Sequence, residues 1–379
     1  MDFSYDEEQS DLREAVRGLL ARAYPDSEHR RTVTASEPGF DEKTWSRLAE
    51  MGLLGLPFAE EHGGMGAGPV EVAIVAEEIG RVLAPEPFVE AVVLAGGLIS
   101  AAGTDAQKGE LLAGIAGGST VPAFAHAEPG TRWSSSAEAV TATRDENGWT
   151  LSGVKEPVPH GARADVLVVS AAIDGGTGLF VVPGDAPGLT RTGYRNHDGT
   201  RSANVRFENA PAEPLGAGGD GTATIERALA VARIAYSHES IGAMDTALRT
   251  TAEYLRTRKQ FGVSLNKFQA LTFRAADMYV SLELARSTAL WASMVLGGDV
   301  VRAADRARLQ TSRAGRHIGK EAIQLHGGIG VTAEYSVGHY TSRLLAIDHL
   351  LGDGDWALAR LADQVDSYPT VDPLGAPYT

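Results

Sequence analysis

Tyr254 to Leu271 reads YLRTRKQFGVSLNKFQAL. Helical periodicity enters this stretch from one side and leaves it on the other, so it is the junction of two long helices. Arg258 and Lys259 close the first helix, where cations complement the negative pole of the backbone dipole, and Arg258 carries the fork that can grip a phosphate through two hydrogen bonds. Phe261 and Gly262 add a flat apolar face and a tight turn. Asn266 stands where the second helix would begin and Gln269 follows at capping-box spacing, which predicts a cap over free backbone N–H groups. The first turn of that helix also attracts an anion through its N–H groups and dipole. An ordinary helix hairpin, with its cap, its C-terminal cations and a buried Phe, uses the same residues.

The chain has 379 residues, long enough for two or three domains with a sizeable core. Its net charge is −15 and no basic run exceeds three residues, so neither nucleic acid nor an anionic membrane surface is an expected partner. Cations such as Arg258 act locally. Cysteine is absent, which excludes disulfides, thiolate metal sites and a cysteine nucleophile and suits a cytoplasmic protein. The opening MDFSYDEEQSDLREAV is acidic and amphipathic, so no secretory leader is expected. No apolar run approaches the ~20 residues of a membrane span.

Working outward, residues 1–120 are predicted to form an N-terminal α-helical domain. Leu12, Val16, Leu19 and Leu20 make one apolar stripe, Trp45, Leu48, Met51 and Leu53 a second, and Val72, Val75, Ile79 and Val82 a third that stops at Pro85 and Pro87. From Val121 the period changes to two. Asn147-Gly148 between Val140–Thr143 and Trp149–Ser152 signals a hairpin, and Val166–Ser170, Leu179–Val182 and Ala203–Phe207 read as further strands, so residues 121–215 are expected to form a central antiparallel β-barrel or sandwich. No proline occurs between Pro214 and Pro369. Helices over roughly 220–258, 267–296, 300–325 and 335–365 then give residues 216–379 as a C-terminal four-helix bundle, completing an α+β multidomain chain. Gly216, Gly218 and Gly221 match G-x-G-x-x-G, but helices follow where a dinucleotide fold needs a second strand, so this is read as a flexible loop. No Glu-x-x-His pair is present, and no metal is expected.

The run R-K-Q-F-G-x-x-L-x-x-F-Q, from Arg258 to Gln269, and the later AIQLHGGIG, from Ala322 to Gly330, resemble the acyl-CoA dehydrogenase family, and the likeness extends over nearly the whole chain. The resemblance implies the same order of helical, β and helical-bundle domains. It also implies FAD, an acyl-CoA substrate, and removal of hydrogens from Cα and Cβ of the thioester with a carboxylate as base. FAD lies across a subunit interface in the family, its adenosine pyrophosphate held largely by the neighbouring subunit. The positions that match are Arg258, Gln260, Phe261, Gln269, Gln324, Gly327 and Gly328, and all suit that task. Gly327 and Gly328 lack a Cβ, which lets a ligand approach the backbone closely; a helix C-terminus would also explain them.

The half of the site that holds the flavin ring departs from the family pattern. Glu128-Pro129-Gly130 is present, but Thr131-Arg132-Trp133 follows where small residues belong. Counting from Gly327, the family's base position falls on Leu351; in relatives that carry the base on the first bundle helix it falls on Ala232, beside Arg233, a candidate substrate contact. Neither side chain takes a proton. Glu239, two turns beyond Ala232, is a candidate displaced base, with a structural glutamate bonded to a partner as the alternative. His339, Tyr340, Arg343, Asp348 and His349 are read as a solvated helix face in preference to a pocket lining. The resemblance therefore implies a subunit of a heterotetrameric (α2β2) acyl-CoA dehydrogenase acting on bulky or dicarboxylic thioesters, whose homologous partner supplies the base. A homo-oligomer, a flavin-dependent monooxygenase of the same fold and a non-catalytic scaffold subunit are the alternatives.

Overall fold

A computed structural model describes residues 5–146 and 148–367. The first run of elements is helical: α1 (Glu7–Ala23), α2 (Ser27–Ala35), α3 (Glu42–Glu50), α4 (Pro69–Val82), a π-helix (Phe88–Gly96) that continues as α5 (Gly97–Ala102), and α6 (Asp105–Ala116). Local chemistry sets their ends. Asp6 with Gln9 and Thr104 with Gln107 close capping boxes on α1 and α6, and Pro69 sits in the first turn of α4, where its missing N–H costs nothing. Val16, Leu19, Leu20, Trp45, Leu48, Leu53, Val75 and Ile79 are buried in one core, as their spacing predicts. Met51 is exposed instead, because α3 ends at Glu50 and Gly52 turns the chain through a left-handed conformation.

Seven strands follow: β1 (Pro122–Ala125), β2 (Thr141–Asp145), β3 (Gly148–Pro159), β4 (Val166–Ile173), β5 (Gly176–Pro183), β6 (Leu189–Arg195) and β7 (Arg201–Pro214). β2, β3, β7, β5 and β4 pair in succession and β4 returns to β2, so the sheet closes into a barrel, with β1 beside β4 and β6 beside β7. The expected antiparallel pairing holds except at β4, which runs parallel to β1 and meets β2 in parallel at Thr141 and Ala172. The β2–β3 hairpin lies between β1 and β4 in the chain and supplies the long connection that parallel neighbours need. Asp145 pairs with Gly148 across the predicted turn, and Asn147 lies outside the described residues.

The last run is α7 (Thr222–Thr257), a short hairpin of β8 (Lys259–Gln260) and β9 (Val263–Ser264), α8 (Gln269–Met294), α9 (Val300–His326), α10 (Val337–His349) and α11 (Gly354–Ala362). The single helix predicted over 335–365 is two. Leu351 and Gly352 take φ of 59° and 114°, and Asp353 caps α11 by accepting from the Trp356 N–H, so the chain breaks between them. The buried Arg308 guanidinium donates to the carbonyls of Ile347, Leu350 and Gly352 and holds that break in place. α4 and α7 cross backbone to backbone: a Cβ on Gly80 would stand 1.9 Å from the Glu239 carbonyl, and one on Gly242 would stand 1.9 Å from that of Glu77. This contact fixes the N-terminal helices against the bundle.

Candidate functional site

Two surfaces carry the predicted residues. The first is exposed. Arg258 terminates α7, its N–H bonded to the Tyr254 carbonyl at 2.8 Å. The β8–β9 hairpin turns through Phe261 and Gly262, both at positive φ, and this leaves the Phe261 ring 91% exposed, with an edge contact to Phe268. α8 begins at Gln269 with no side-chain cap. The predicted capping box is therefore absent: Asn266 lies in a 3-10 turn with its side chain bonded to Ser264, out of reach of the helix N-terminus. The Tyr254 and His326 rings meet tilted at 4.4 Å and Arg274 bonds Glu321 at 2.5 Å, which brings the end of α7, the start of α8 and the end of α9 together. Gln324 is exposed in the last turn of α9, and a Cβ on Gly327 or Gly328 would meet nothing within 4 Å. Gly327 needs its φ of 63°, but Gly328 is required neither by conformation nor by packing inside this chain. An uncapped helix N-terminus, an exposed arginine and a bare glycine ledge fit an anionic dinucleotide tail.

The second surface is a cavity of about 350 Å³ between the barrel and α7. The barrel contributes Phe124, His126 and Ala127, the loop residues Thr131 to Trp133, and Glu156, Pro157 and Pro159; the helices contribute Glu90, Leu94, Leu229, Arg233, Tyr236 and the break at His349 to Leu351. Glu128 is buried behind this wall. It accepts from the backbone N–H groups of Glu138, Ala139 and Val140 and from Lys155 Nζ at 2.7 Å, and against the opposing effect of burial these contacts hold its pKa at about 2. The Glu-Pro-Gly segment is thus a structural knot that presents the next residues to the cavity. His126 stacks on Phe124 and is bonded through both ring nitrogens, to Ser170 and Ser134, and burial pulls its pKa to about 4, so it is neutral.

Where the family pattern has small residues, Trp133 stands with φ at 53°, its Nε1 donating to the His349 carbonyl at 3.2 Å. Its ring meets Trp356 edge-on at 6.2 Å, and Trp356 is clamped between the guanidinium groups of Arg233 at 4.5 Å and Arg360 at 4.8 Å. Arg233 lines the cavity, its Nε donating to the Leu351 carbonyl at 2.6 Å, while its buried Nη1 stands 4.0 Å from Asp305 and has no hydrogen-bond partner among the described residues. Burial pulls its pKa to about 10, and it stays charged at neutral pH.

No proton acceptor occupies either family base position. Leu351 lies on the cavity wall, and Ala232 is fully buried in the core and does not line the cavity. Glu239 is corrected as a candidate base: it is absent from the cavity wall and accepts from Arg343 Nε at 2.7 Å, with Asp198 on the same guanidinium at 2.9 Å. Burial pushes its pKa up, and the salt bridge keeps it occupied. The solvated-face reading of the α10 cluster also fails. Tyr340, Arg343 and Asp348 are buried, because α10 packs against α7 and α9, and His349 lines the cavity. The sequence reading missed two carboxylates that do line it. Glu90 accepts from the Tyr236 hydroxyl at 2.8 Å, and Glu156 accepts from Asn204 at 2.6 Å. A signal existed for Glu90, the sole charge in the apolar run FVEAVVLAG.

Comparisons with known proteins bear on both surfaces. Three family models match along the chain: acyl-CoA dehydrogenase, N-terminal domain, over residues 6–119; middle domain, over 123–210; and C-terminal domain, over 219–365. The short-chain specific acyl-CoA dehydrogenase of Sus scrofa mitochondria is 32% identical over 82% of this chain and 77% of its own. Among solved structures, the Tcur3481-Tcur3483 steroid ACAD, in a variant form, is 34% identical at a TM-score of 0.87, covering 95% of this chain and 98% of that one. The ChsE4-ChsE5 complex from Mycobacterium tuberculosis is 26% identical at a TM-score of 0.87, covering 98% and 100%.

Proposed function

This chain belongs to the acyl-CoA dehydrogenase family, FAD-dependent oxidoreductases acting on CH–CH bonds, and from that premise we propose that it is the base-lacking subunit of a heteromeric dehydrogenase. One observation carries the proposal. The residues that would cradle a dinucleotide tail are all exposed, whereas the cavity of the same chain has Leu351 at the family's base position and Trp133 where the family pattern has small residues. A site assembled from two such chains would have no carboxylate at either family base position, and the two carboxylates on the cavity wall, Glu90 and Glu156, are engaged by Tyr236 and Asn204. A homologous partner that supplies the carboxylate and the ring pocket, and borrows this cradle, completes the site.

When bound, FAD takes up the hydride that leaves Cβ of the thioester. The residues of this chain would act on its tail: Arg258 gripping the pyrophosphate, the N-terminus of α8 at Gln269 offering free N–H groups, and Gly327 and Gly328 admitting the ligand against bare backbone. Gln260, Phe261 and Gln324 are exposed around it and would be covered in the assembly. Oligomerisation has its own support in α8, where Phe273, Val280 and Leu284 share one helix face and are each more than half exposed. Likeness to a steroid ACAD favours a bulky acyl group such as a steroid side chain, and likeness to a two-protein complex favours the heteromer.

The test is purification of the chain from its native host. Recovery with one homologous chain and two flavins per four subunits would support the proposal; thioester dehydrogenation by this chain alone would refute it.

A further inference from the structure

Glu90 is a buried carboxylate with no cation bonded to it among the described residues. It sits in the π-helix (Phe88–Gly96), a form of helix that is rare and recurs at functional sites, and it is the sole charge in that apolar run. It is 8% exposed and lines the cavity between the barrel and α7 beside Leu94, Leu229 and Tyr236. Its Oε1 accepts from the Tyr236 hydroxyl at 2.8 Å. Oε2 has no hydrogen-bond partner among the described residues and is not fully enclosed, so a molecule in the cavity can reach it.

The charges behind Glu90 do not balance. Arg343 is electrostatically coupled to Glu90, Glu239 and Asp198 together, but its hydrogen bonds go to Glu239 at 2.7 Å and Asp198 at 2.9 Å. A second buried guanidinium, Arg30, donates to the Leu83 and Asp198 carbonyls and is coupled to the Asp198 carboxylate. Two cations thus stand among three carboxylates, and Glu90, held by a phenol, carries the excess. Arg233 lines the same cavity, but its own counter-ion, Asp305, lies 4.0 Å from it. A buried charge is costly to leave unpaired, and the group that relieves it best is a cation that also donates a hydrogen bond.

We infer that this cavity is a binding site for an amine, a mostly apolar molecule whose ammonium group donates to Glu90 Oε2 while Phe124, Leu94 and Leu229 enclose its body. The chemistry is selective in two directions. A carboxylate at that end is repelled, and an alcohol of the same shape donates the bond without supplying the charge. The volume, about 350 Å³, is more than twice the roughly 150 Å³ of an engineered apolar cavity that admits benzene, so a bicyclic body is accommodated. In the heteromer proposed above the thioester reacts in the partner's cavity, so an amine here is a second ligand of the assembly.

The experiment titrates the assembly in which the chain purifies with 1-naphthylmethylamine, 1-naphthalenemethanol and 1-naphthoate, by calorimetry at neutral pH. The expected result is one saturable amine site per copy of this chain, with the alcohol at least about tenfold weaker and the carboxylate weaker again. Equal affinity for amine and alcohol, or no saturable site, overturns the inference on wild-type protein alone. Glu90→Gln keeps an acceptor for Tyr236 and should bring the amine down to the affinity of the alcohol. A fall of amine and alcohol together, with a lowered melting temperature, would make Glu90 a structural residue and overturn the assignment. Leu94→Phe and Leu229→Phe narrow the cavity from different helices; whichever retains the wild-type circular dichroism should abolish binding, and amine affinity unchanged in it overturns the inference. Ala235→Leu narrows only a separate cavity of about 310 Å³ on the reverse side of the same helices, and loss of binding in that variant alone would place the amine there and refute the role of Glu90.

Discussion

Replacing Arg258 by alanine separates a ligand contact from a structural one, and the structure sets the size of each. The side chain is exposed at the end of α7 and belongs to no ion pair of the described residues, so the folded chain should lose no more than about 0.5 kcal/mol, the usual range for such surface changes. Toward FAD the same change removes a charge-assisted contact to phosphate, worth about 2 kcal/mol net, which is about thirtyfold in Kd. The assay is quenching of flavin fluorescence on titration of the deflavinated complex, with thermal melting of wild type and variant alongside. Arg258→Lys keeps the charge but loses the fork and should fall between the two. Affinity of the wild type should also drop with added salt more steeply than that of the alanine variant, because one ionic contact is gone. Unchanged FAD affinity with a lowered melting temperature would make Arg258 a helix terminator only and move the dinucleotide tail elsewhere.

The two glycines of the cradle should respond oppositely. Gly328→Leu should leave melting unchanged, since it has open space and no positive φ, and yet weaken FAD at least tenfold by filling the ledge; Gly327→Ala should lower stability by about 1–3 kcal/mol, because φ 63° with ψ −142° is accessible only to glycine. Gly242→Ala should cost about 3 kcal/mol in urea unfolding, because the added methyl meets the Glu77 carbonyl across the α4–α7 crossing; a loss under 1 kcal/mol would show that the helices separate freely. Acidification should destabilise the fold. Burial pulls His126, His160 and His238 to about 4 from an ordinary 6.5, so between those values the unfolded chain binds more protons and each imidazole withdraws up to about 1.4 kcal/mol per pH unit. Glu86, pushed up to about 7 by burial, binds its proton in the fold and works the other way, as do Glu239 and Asp305, which burial also raises, while His326, lowered by burial, joins the three histidines. Unfolding free energy that held level from pH 7 to pH 5 would contradict this balance.

Much of the fold was legible in order along the chain. Leu19, Leu48 and Ile79 fall at helical spacing because each helix must bury one stripe, and the period-two run from Val166 to Ser170 marks a strand for the same reason applied to a pleated sheet. The exposed turn that carries Arg258, Gly262 and Gln269 was legible too, since local chain geometry brings those residues close, whereas Gln324, Gly327 and Gly328 join it only through the packing of α7, α8 and α9. Contacts between distant segments were not. That Glu239 and Asp198 share the Arg343 guanidinium, that Trp133 reaches Trp356, and that α10 is buried depend on how α7, the barrel and α10 pack, over separations of more than a hundred residues. The same holds for the break at Leu351, which needs the Arg308 guanidinium from α9 to bind three carbonyls that a continuous helix would have kept for itself. Spacing along a chain reports which side of an element is apolar; it carries no record of which other element will cover that side, and a buried charge finds its partner only when the covering element arrives.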